Sequence, residues 1–435
     1  MIKKYEKYKD SGVEWIGEIP EGWDISSIGR YTNLGRGRVI SHLEIQEKPG
    51  QYPVYSSQTE HNGVMGLIDT YDFEGEYVTW TTDGANAGTV SYRKGKFNCT
   101  NVCGTIQPRD FEQIDLGFLP YLLNLGTKFS VRLDINPKLM NNMMAKIPLV
   151  IPSKTEQTAI ASFLDRKTAE IDQLITNKEK LIALYEEEKT AIINQAVTKG
   201  LDPKVKTKPS GIEWLGDIPE YWEVKKLKYL KAMVKNSFVD GPFGSHLKTE
   251  HFVVNGDVYV IDSGYITSGN FVHHREFKTI TKEHFETIRR SECTEHDIII
   301  AKIGANFGTS GILPKLDKPS VVSGNSLKLT IGRGYNLKYV HYHLINLKQN
   351  GVIDIEVKGS AQPALSMQLV SEMPFIKTNE DEQFAIVSHI ETECSRLDTI
   401  IEKFKKQIEL FKEYRITLIS EVVTGKIDVR EGVAA

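Results

Sequence analysis

An α+β fold with an internal pseudo-twofold repeat is predicted for this chain of 435 residues: two mixed α/β, β-rich globules separated by two long helices that can bury their apolar seams on each other. Three observations predict it. A short Trp-containing motif is written twice; two long segments almost free of proline and glycine are written twice; and each motif leads into a stretch of short β-like runs and Gly-rich turns.

The motif comes first along the chain. Ser11-Gly12-Val13-Glu14-Trp15-Ile16-Gly17-Glu18-Ile19-Pro20-Glu21-Gly22-Trp23-Asp24 returns 199 residues later as Ser210-Gly211-Ile212-Glu213-Trp214-Leu215-Gly216-Asp217-Ile218-Pro219-Glu220-Tyr221-Trp222-Glu223, with nine of fourteen positions identical. The helical segments match at a shift of 226: Pro148 with Pro374, Glu156-Gln157 with Glu382-Gln383, and Asp172 with Asp398. The second variable stretch is therefore 27 residues longer than the first. The implied boundaries are a conserved motif over 1–24, a variable domain over 25–147, a long helix and linker over 148–209, a second motif and variable domain over 210–373, and a second long helix over 374–435.

In the first variable region, Tyr77-Val78-Thr79-Trp80-Thr81-Thr82 reads as a strand running into the turn Gly84-Ala85-Asn86-Ala87-Gly88-Thr89. In the second, Asp297-Ile298-Ile299-Ile300-Ala301-Lys302 runs into Gly304-Ala305-Asn306-Phe307-Gly308-Thr309, a turn shifted by 220. Otherwise the two regions share little sequence.

Each long segment opens on a capping-box pattern, Ser153 with Glu156 and Asn379 with Glu382. Ile160, Leu164, Ile171, Leu174, Lys178, Leu181, Tyr185 and Ile192 then fall on coiled-coil steps, as do Ile386, Ile390, Leu397, Ile400, Phe404, Phe411 and Leu418. About 44 residues at roughly 1.5 Å each make a helix of about 66 Å. One such helix would expose its seam, whereas two in one chain bury theirs on each other. Phe163, Ile175 and Ile193 read as apolar residues of the outer faces.

Composition excludes several classes. With 40% apolar and 26% charged residues, the chain is neither disordered nor collagen-like. Four cysteines at no metal-ligand spacing suit a reduced, cytoplasmic protein, and no apolar run approaches a membrane span. No Gly-x-x-x-x-Gly-Lys-Ser/Thr loop for ATP phosphates is present, no Gly-x-Gly-x-x-Gly follows a strand, and Asn136-Pro137-Lys138-Leu139 lacks the second proline and aromatic of an amino-methyltransferase site. Asp354, Glu356 and Lys358 imitate a metal-dependent nuclease triad, which keeps a stand-alone nuclease as an alternative. A coiled-coil structural adaptor is the other. His273-His274 and His341-x-His343 lack acidic or thiol partners at ligand spacing, so no metal site is expected.

Charge divides by region. Residues 224–373 hold 19 Lys/Arg against 14 Asp/Glu and eight histidines, while residues 25–147 balance at 12 against 12. A basic second globule fits contact with phosphates. Candidate DNA-binding residues are Gln58, His61, Asn62, Trp80, Thr82, Asn86 and Thr89 in the first region and Ser245, His246, Lys302, Asn306 and Thr309 in the second. Asn and Gln can bond base edges bidentately, Lys302 can meet phosphate, and Thr82 at the matching position offers only a neutral hydrogen bond. The plain alternative for Asn86 and Asn306 is a turn amide capping its own backbone.

The paired Gly-x-Glu-Trp-x-Gly-x-Ile-Pro-x-x-Trp motifs, the Glu-Gln helix openings, and the stretches Asn62-Gly63-Val64-Met65-Gly66 and Phe243-Gly244-Ser245-His246-Leu247 resemble the specificity subunit of type I restriction-modification systems, from about Tyr8 to about Arg430. The resemblance implies two target recognition domains that each read half of a split DNA sequence. It implies that the long helices form an antiparallel coiled coil, with Ile160, Leu164, Ile171, Leu181, Ile386, Ile390, Leu397 and Phe411 as coiled-coil or partner positions, which sets the spacer and docks two methyltransferase subunits, with restriction subunits outside. S-adenosylmethionine, ATP and Mg2+ would belong to those partners, with no cofactor in this chain and no catalysis by it alone.

Overall fold

A computed structural model describes residues 3–132, 136–267, 270–271, 276–304, 306–355 and 364–430. The chain divides into two units, Met1–Glu179 with Lys405–Ala435 and Lys180–Phe404. Both divisions fall inside long helices, Lys154–Lys199 and Glu380–Val423. The caps expected for these helices are present: Ser153 Oγ accepts from Glu156 N at 3.3 Å and Asn379 Oδ1 from Glu382 N at 2.9 Å. Left-handed Gly200 and Gly425, with φ of +78° and +73°, follow the far ends.

Each unit holds a section of both helices, and within each the pairing is antiparallel. In the first unit Arg415 bonds Asp172 at 3.0 Å and the Lys178 ammonium lies 5.9 Å from the Phe411 ring centre. In the second, Lys189 bonds Asp398 at 2.6 Å and Tyr185 faces Phe404 at 6.0 Å. As numbers rise along one helix they fall along the other.

Of the expected seam residues, Ile160, Leu164 and Ile171 are buried in the first unit's core, with Phe411 packed against it, and Ile386, Ile390 and Leu397 are buried in the second unit. Leu181 and Leu174 are not buried: they are 39% and 45% exposed. A single neighbouring helix covers only a narrow stripe, so residues one step round the helix stay in water. Ile193, expected outside, is buried in the second core, while Ile192 is half-buried. That end of the helix is embedded among globule side chains such as Leu344 and Leu347 in the same cluster.

In the first unit six strands form one sheet in the order Thr32–Arg36, Cys103–Pro108, Phe73–Thr81, Val90–Cys99, Pro49–Tyr55, Val64–Ile68. In the second unit the order Phe238–Asp240, Ser326–Leu329, Ile298–Ala301, Ser310–Ile312 repeats the first four of these. A second sheet there orders Lys278–Ile280, Val258–Ile261, Ser320–Val322 and Glu292–Cys293. The registers repeat too: Val78 faces Tyr92 as Ile298 faces Ile312, and Tyr55 pairs in parallel with Cys99 as Ile261 pairs with Val322. Gly37 and Gly241 occupy corresponding places, where a Cβ would run into the backbone at Cys99 and at Ser323. The variable regions thus keep a common scaffold that their sequences conceal.

Each globule is closed by an antiparallel ribbon, Asp24–Ser27 with Pro148–Ile151 and Glu223–Lys226 with Pro374–Lys377. The motif folds on itself beside it. Tyr8–Asp10 pairs with Glu18–Pro20, Thr207–Pro209 pairs with Asp217–Pro219, and Trp23 and Trp222 are buried. A lysine from a helix end clamps each motif loop: Lys426 Nζ donates to Ile16 O at 3.1 Å in the first unit, and Lys199 Nζ to Leu215 O at 3.2 Å in the second. The first motif therefore packs with the end of the second helix.

Candidate nucleic-acid interface

The two Gly-rich turns have the same backbone bonds. Gly88 N donates to Thr81 O at 2.8 Å and Gly308 N to Ala301 O at 2.9 Å; Thr89 N donates to Asn86 O at 3.1 Å and Thr309 N to Asn306 O at 3.0 Å. Ala305 lies outside the described residues. The turn amides cap neither their own backbone nor open space. Asn86 Nδ2 donates to Ser57 O at 2.9 Å and Asn306 Nδ2 to Ser263 O at 3.2 Å, so each tethers the loop that follows the parallel-paired strand. Thr309 Oγ1 is likewise spent on Asn306 O at 2.6 Å, whereas Thr89 is exposed.

Three further candidates are not available to DNA. Trp80 is 1% exposed, fills the space that Gly104 leaves without a side chain, and donates Nε1–H to Leu139 O at 2.9 Å. Its strand faces the core there, which polar–aromatic interleaving does not reveal. Thr82 is fully buried and bonds Asp83 Oδ2 at 2.6 Å. Lys302 is 15% exposed at the side chain, lies 3.8 Å from Asp240 Oδ2 and sits over Phe243 at 4.8 Å, which leaves no free ammonium for phosphate. Thr82 and Lys302 do correspond: Thr82 O accepts from Leu139 N and Lys302 O from Leu365 N, both at 2.9 Å. The polarity at this place is exchanged, for Arg36 reaches Thr82 and Asp83 at 3.4 Å in the first unit, whereas Asp240 receives Lys302 in the second.

Gln58, His61 and Asn62 remain exposed on one loop, where His61 and Asn62 take the left-handed conformation at φ of 48° and 56°. Gln58 Nε2 donates to Val64 O across this loop. Gln58, Asn62 and Thr89 line a cavity of about 80 Å3 together with Tyr55, Thr79 and Arg93. Arg93 was missed in the sequence because it lies among charged strand residues; its Nη1 donates to Asn62 Oδ1 at 2.9 Å. In the second unit Ser245 and His246 are exposed on the short turn Gly244–His246, whose His246 O pairs with His284 Nε2 at 2.9 Å.

The helix openings position these globules. Gln157 and Gln383 are 1% and 0% exposed; their Oε1 atoms accept from Asp115 N at 2.8 Å and Asn336 N at 2.7 Å. Asp115 Oδ1 in turn accepts from Phe118 N at 3.1 Å where the helix Phe118–Gly126 begins, and Asn336 caps the helix Leu337–Gln349 through Tyr339 N at 3.2 Å. The glutamates do not complete the capping boxes. Glu156 Oε1 accepts from Tyr5 Oη at 2.6 Å, and Glu382 accepts from Tyr221 Oη at 2.7 Å and Trp222 Nε1 at 2.9 Å.

His341 and His343 are buried and bond Ser310 O at 3.0 Å and Pro374 O at 3.2 Å. Burial pulls both imidazoles down, that of His343 to about 4. Asp354 is held by Lys348 at 2.6 Å, while Glu356, Lys358, His273 and His274 lie outside the described residues. Among the described residues no cluster of His, Cys, Asp and Glu could hold a metal ion, and no helix is long and apolar enough to cross a membrane.

The family profile of the type I restriction modification DNA specificity domain matches residues 20–183. The chain is 50% identical over 134 residues to the type I specificity subunit S.MpnORF289P N-terminus of Mycoplasma pneumoniae, covering 31% of this chain and 71% of that protein. Over 459 aligned positions it is 24% identical to the MjaVIII specificity subunit of Methanocaldococcus jannaschii, covering 99% of each. Of six further M. pneumoniae relatives the match spans 39% to 55% of their length. The fold is similar to a chain solved in a study of complex assembly and conformational transition of a type I R-M system, at TM-score 0.70 and 10% identity over 94% of this chain and 99% of that one. It is also similar to the HsdS subunit from Thermoanaerobacter tengcongensis, at TM-score 0.52 and 11% identity over 94% and 98%.

Proposed function

The chain belongs to the type I restriction-modification specificity subunits, and from that membership we propose that it reads an asymmetric, two-part DNA site, one part per globule, and docks methyltransferase and restriction subunits. One observation carries the reading: the two globules keep one scaffold and register but present different side chains, Gln58, His61 and Asn62 in one and Ser245 and His246 in the other. Two identical readers would select a palindrome; two different ones select an asymmetric site.

Two methyltransferase subunits would dock on the helices, which leave Leu174, Leu410 and Tyr414 exposed in the first unit and Leu181 and Leu184 in the second. S-adenosylmethionine, ATP and Mg2+ would be bound by those partners, in the cytoplasm. This chain selects the sequence and steadies the duplex while a partner flips the adenine that it methylates at N6.

Mapping methylated adenines in cells with and without this gene, the partner methyltransferase being present in both, tests the proposal. The expected result is gene-dependent N6-methyladenine at one bipartite, asymmetric motif. A palindromic motif, or no change, overturns it. Cleavage of plasmid by the purified chain with magnesium alone would instead support a stand-alone nuclease, and an assembled complex without sequence preference in a gel shift would support a structural adaptor.

A further inference from the structure

Two Lys/Arg side chains are buried among the described residues, Arg93 at 6% exposure and Lys328 at 8%. Lys328 has its counter-ion, Asp297 at 3.3 Å, and donates to Glu292 O at 2.7 Å. Arg93 has none. Its guanidinium lies 3.8 Å from the centre of the Tyr55 ring, its Nε donates to Thr79 Oγ1 at 3.3 Å and its Nη1 to Asn62 Oδ1 at 2.9 Å. Its Nη2 lies beside Gly63, where an added Cβ would stand 3.1 Å away. Among the described residues no carboxylate forms an ion pair with it, and the ionisable groups that act on it most strongly are Tyr55, Cys99 and Cys103. An enclosed cation without an anion is costly, and burial lowers the affinity of this guanidinium for its proton.

The internal repeat serves as the control. By the strand registers, and by the Leu313 N to Asp297 O bond that extends one of them, Leu313 holds the place of Arg93 in the second unit, Ile299 that of Thr79, Ile261 that of Tyr55 and Val322 that of Cys99. Those four second-unit residues are all buried in one apolar cluster. The same scaffold place is therefore filled without any charge in the second unit, so the fold does not require an arginine there.

We propose that Arg93 is a DNA-contacting cation of the first globule, and that the acceptor missing from its cavity is supplied by DNA, as a phosphate oxygen or as the O6/N7 edge of a guanine. The inference rests on the reading of the chain as a DNA-specificity subunit. A cavity of about 80 Å3 beside the guanidinium, lined by Gln58, Asn62 and Thr89, is the place where such an acceptor would enter. The loop above it carries the two left-handed residues His61 and Asn62, and Asn62 shares the guanidinium. Closing the pocket on either acceptor would give the guanidinium the strong hydrogen bond it lacks and order the exposed face of the same loop.

The test uses the assembled complex with its methyltransferase, carrying Arg93→Leu, which copies the second unit's solution, or Arg93→Gln, which keeps a donor without the charge. DNA binding is measured on cognate duplex, on duplexes altered in one half-site, and on cognate duplex with 7-deazaguanine in the half-site read by the first globule. Melting temperature is recorded for each protein. Both variants are expected to lose roughly tenfold or more in affinity for cognate DNA, to keep the half-site preference of the second globule, and to melt no lower than the wild type. If guanine is the partner, 7-deazaguanine weakens the wild type and not the variants; if phosphate is, the slope of log affinity against log salt falls by about one. Unchanged affinity and preferences in both variants overturn the proposal. So does a lowered melting temperature for Arg93→Leu with reading intact, which marks a structural arginine. A wild-type complex without any sequence preference overturns the functional reading itself.

Discussion

Asn306 and His343 are polar residues that the second globule uses for its own structure. Asn306 tethers the loop at Ser263, so Asn306→Ala is expected to cost about 0.5–1.5 kcal/mol, seen as a melting temperature lowered by a few degrees, with both half-site preferences unchanged. A relaxed second half-site would return the amide to the DNA face. His343 is fully buried and bonds Pro374 O, and its pKa lies near 4. The folded protein keeps this imidazole neutral while the unfolded chain protonates it below about 6.5. Stability is therefore unaffected above that pH and is lost as pH falls from about 6.5 towards 4, at up to about 1.4 kcal/mol per unit. Urea unfolding at pH 7.5 and pH 5 should show about 2 kcal/mol less stability at the lower pH from this group, a difference that His343→Gln removes. An identical pH dependence in the variant would sink this assignment. At this scale the sequence conceals which face a residue takes: Trp80 and Gln58 both sit in polar–aromatic stretches, yet one is core and one is exposed.

The long helices were legible almost residue by residue, because caps and a seven-residue apolar period are local signals. Cover over the seam was not. Leu181 fits the period and is exposed, whereas Ile193 does not fit it and is buried, because a globule packs against one section of the helix and only another helix packs against the next. Leu181→Glu combined with Leu184→Glu is expected to leave the unfolding free energy within about 0.5 kcal/mol of the wild type, as surface changes do, and to weaken capture of the methyltransferase subunit by at least tenfold. Unaltered capture by calorimetry would place the partner elsewhere. The helix openings show a second limit. The Ser153/Glu156 and Asn379/Glu382 patterns predicted reciprocal capping, yet both glutamates turn to tyrosine and tryptophan side chains of the motif. A sequence window of four residues does not contain those competitors.

For the whole molecule, the proposed function predicts a DNA spacer set by helix length. Both helices cross the division between the units, so a test must lengthen both. Inserting seven residues after Glu179 and seven after Phe404 preserves the apolar face and adds about 10 Å, about three base pairs at roughly 3.4 Å each. The methylated motif is expected to keep both half-sites and gain about three bases between them. A change of bases within either half-site would contradict a ruler.

The sequence by itself determined the repeat and much of its geometry. The shifts of 199, 226 and 220 residues read from it return as the registers of the closing ribbons and of the hairpins beside the turns. Repeated local patterns fold to repeated local structures, so homologous positions can be counted along the chain. Only the tertiary structure decided which of those positions are exposed and which are buried, since that depends on what distant segments cover. Leu139 covers Trp80 from 59 residues away, Asp240 pairs with Lys302 from across a sheet, and among the described residues no carboxylate pairs with Arg93. Burial and charge compensation are properties of the assembled packing, and no window of the sequence contains all the partners that fix them.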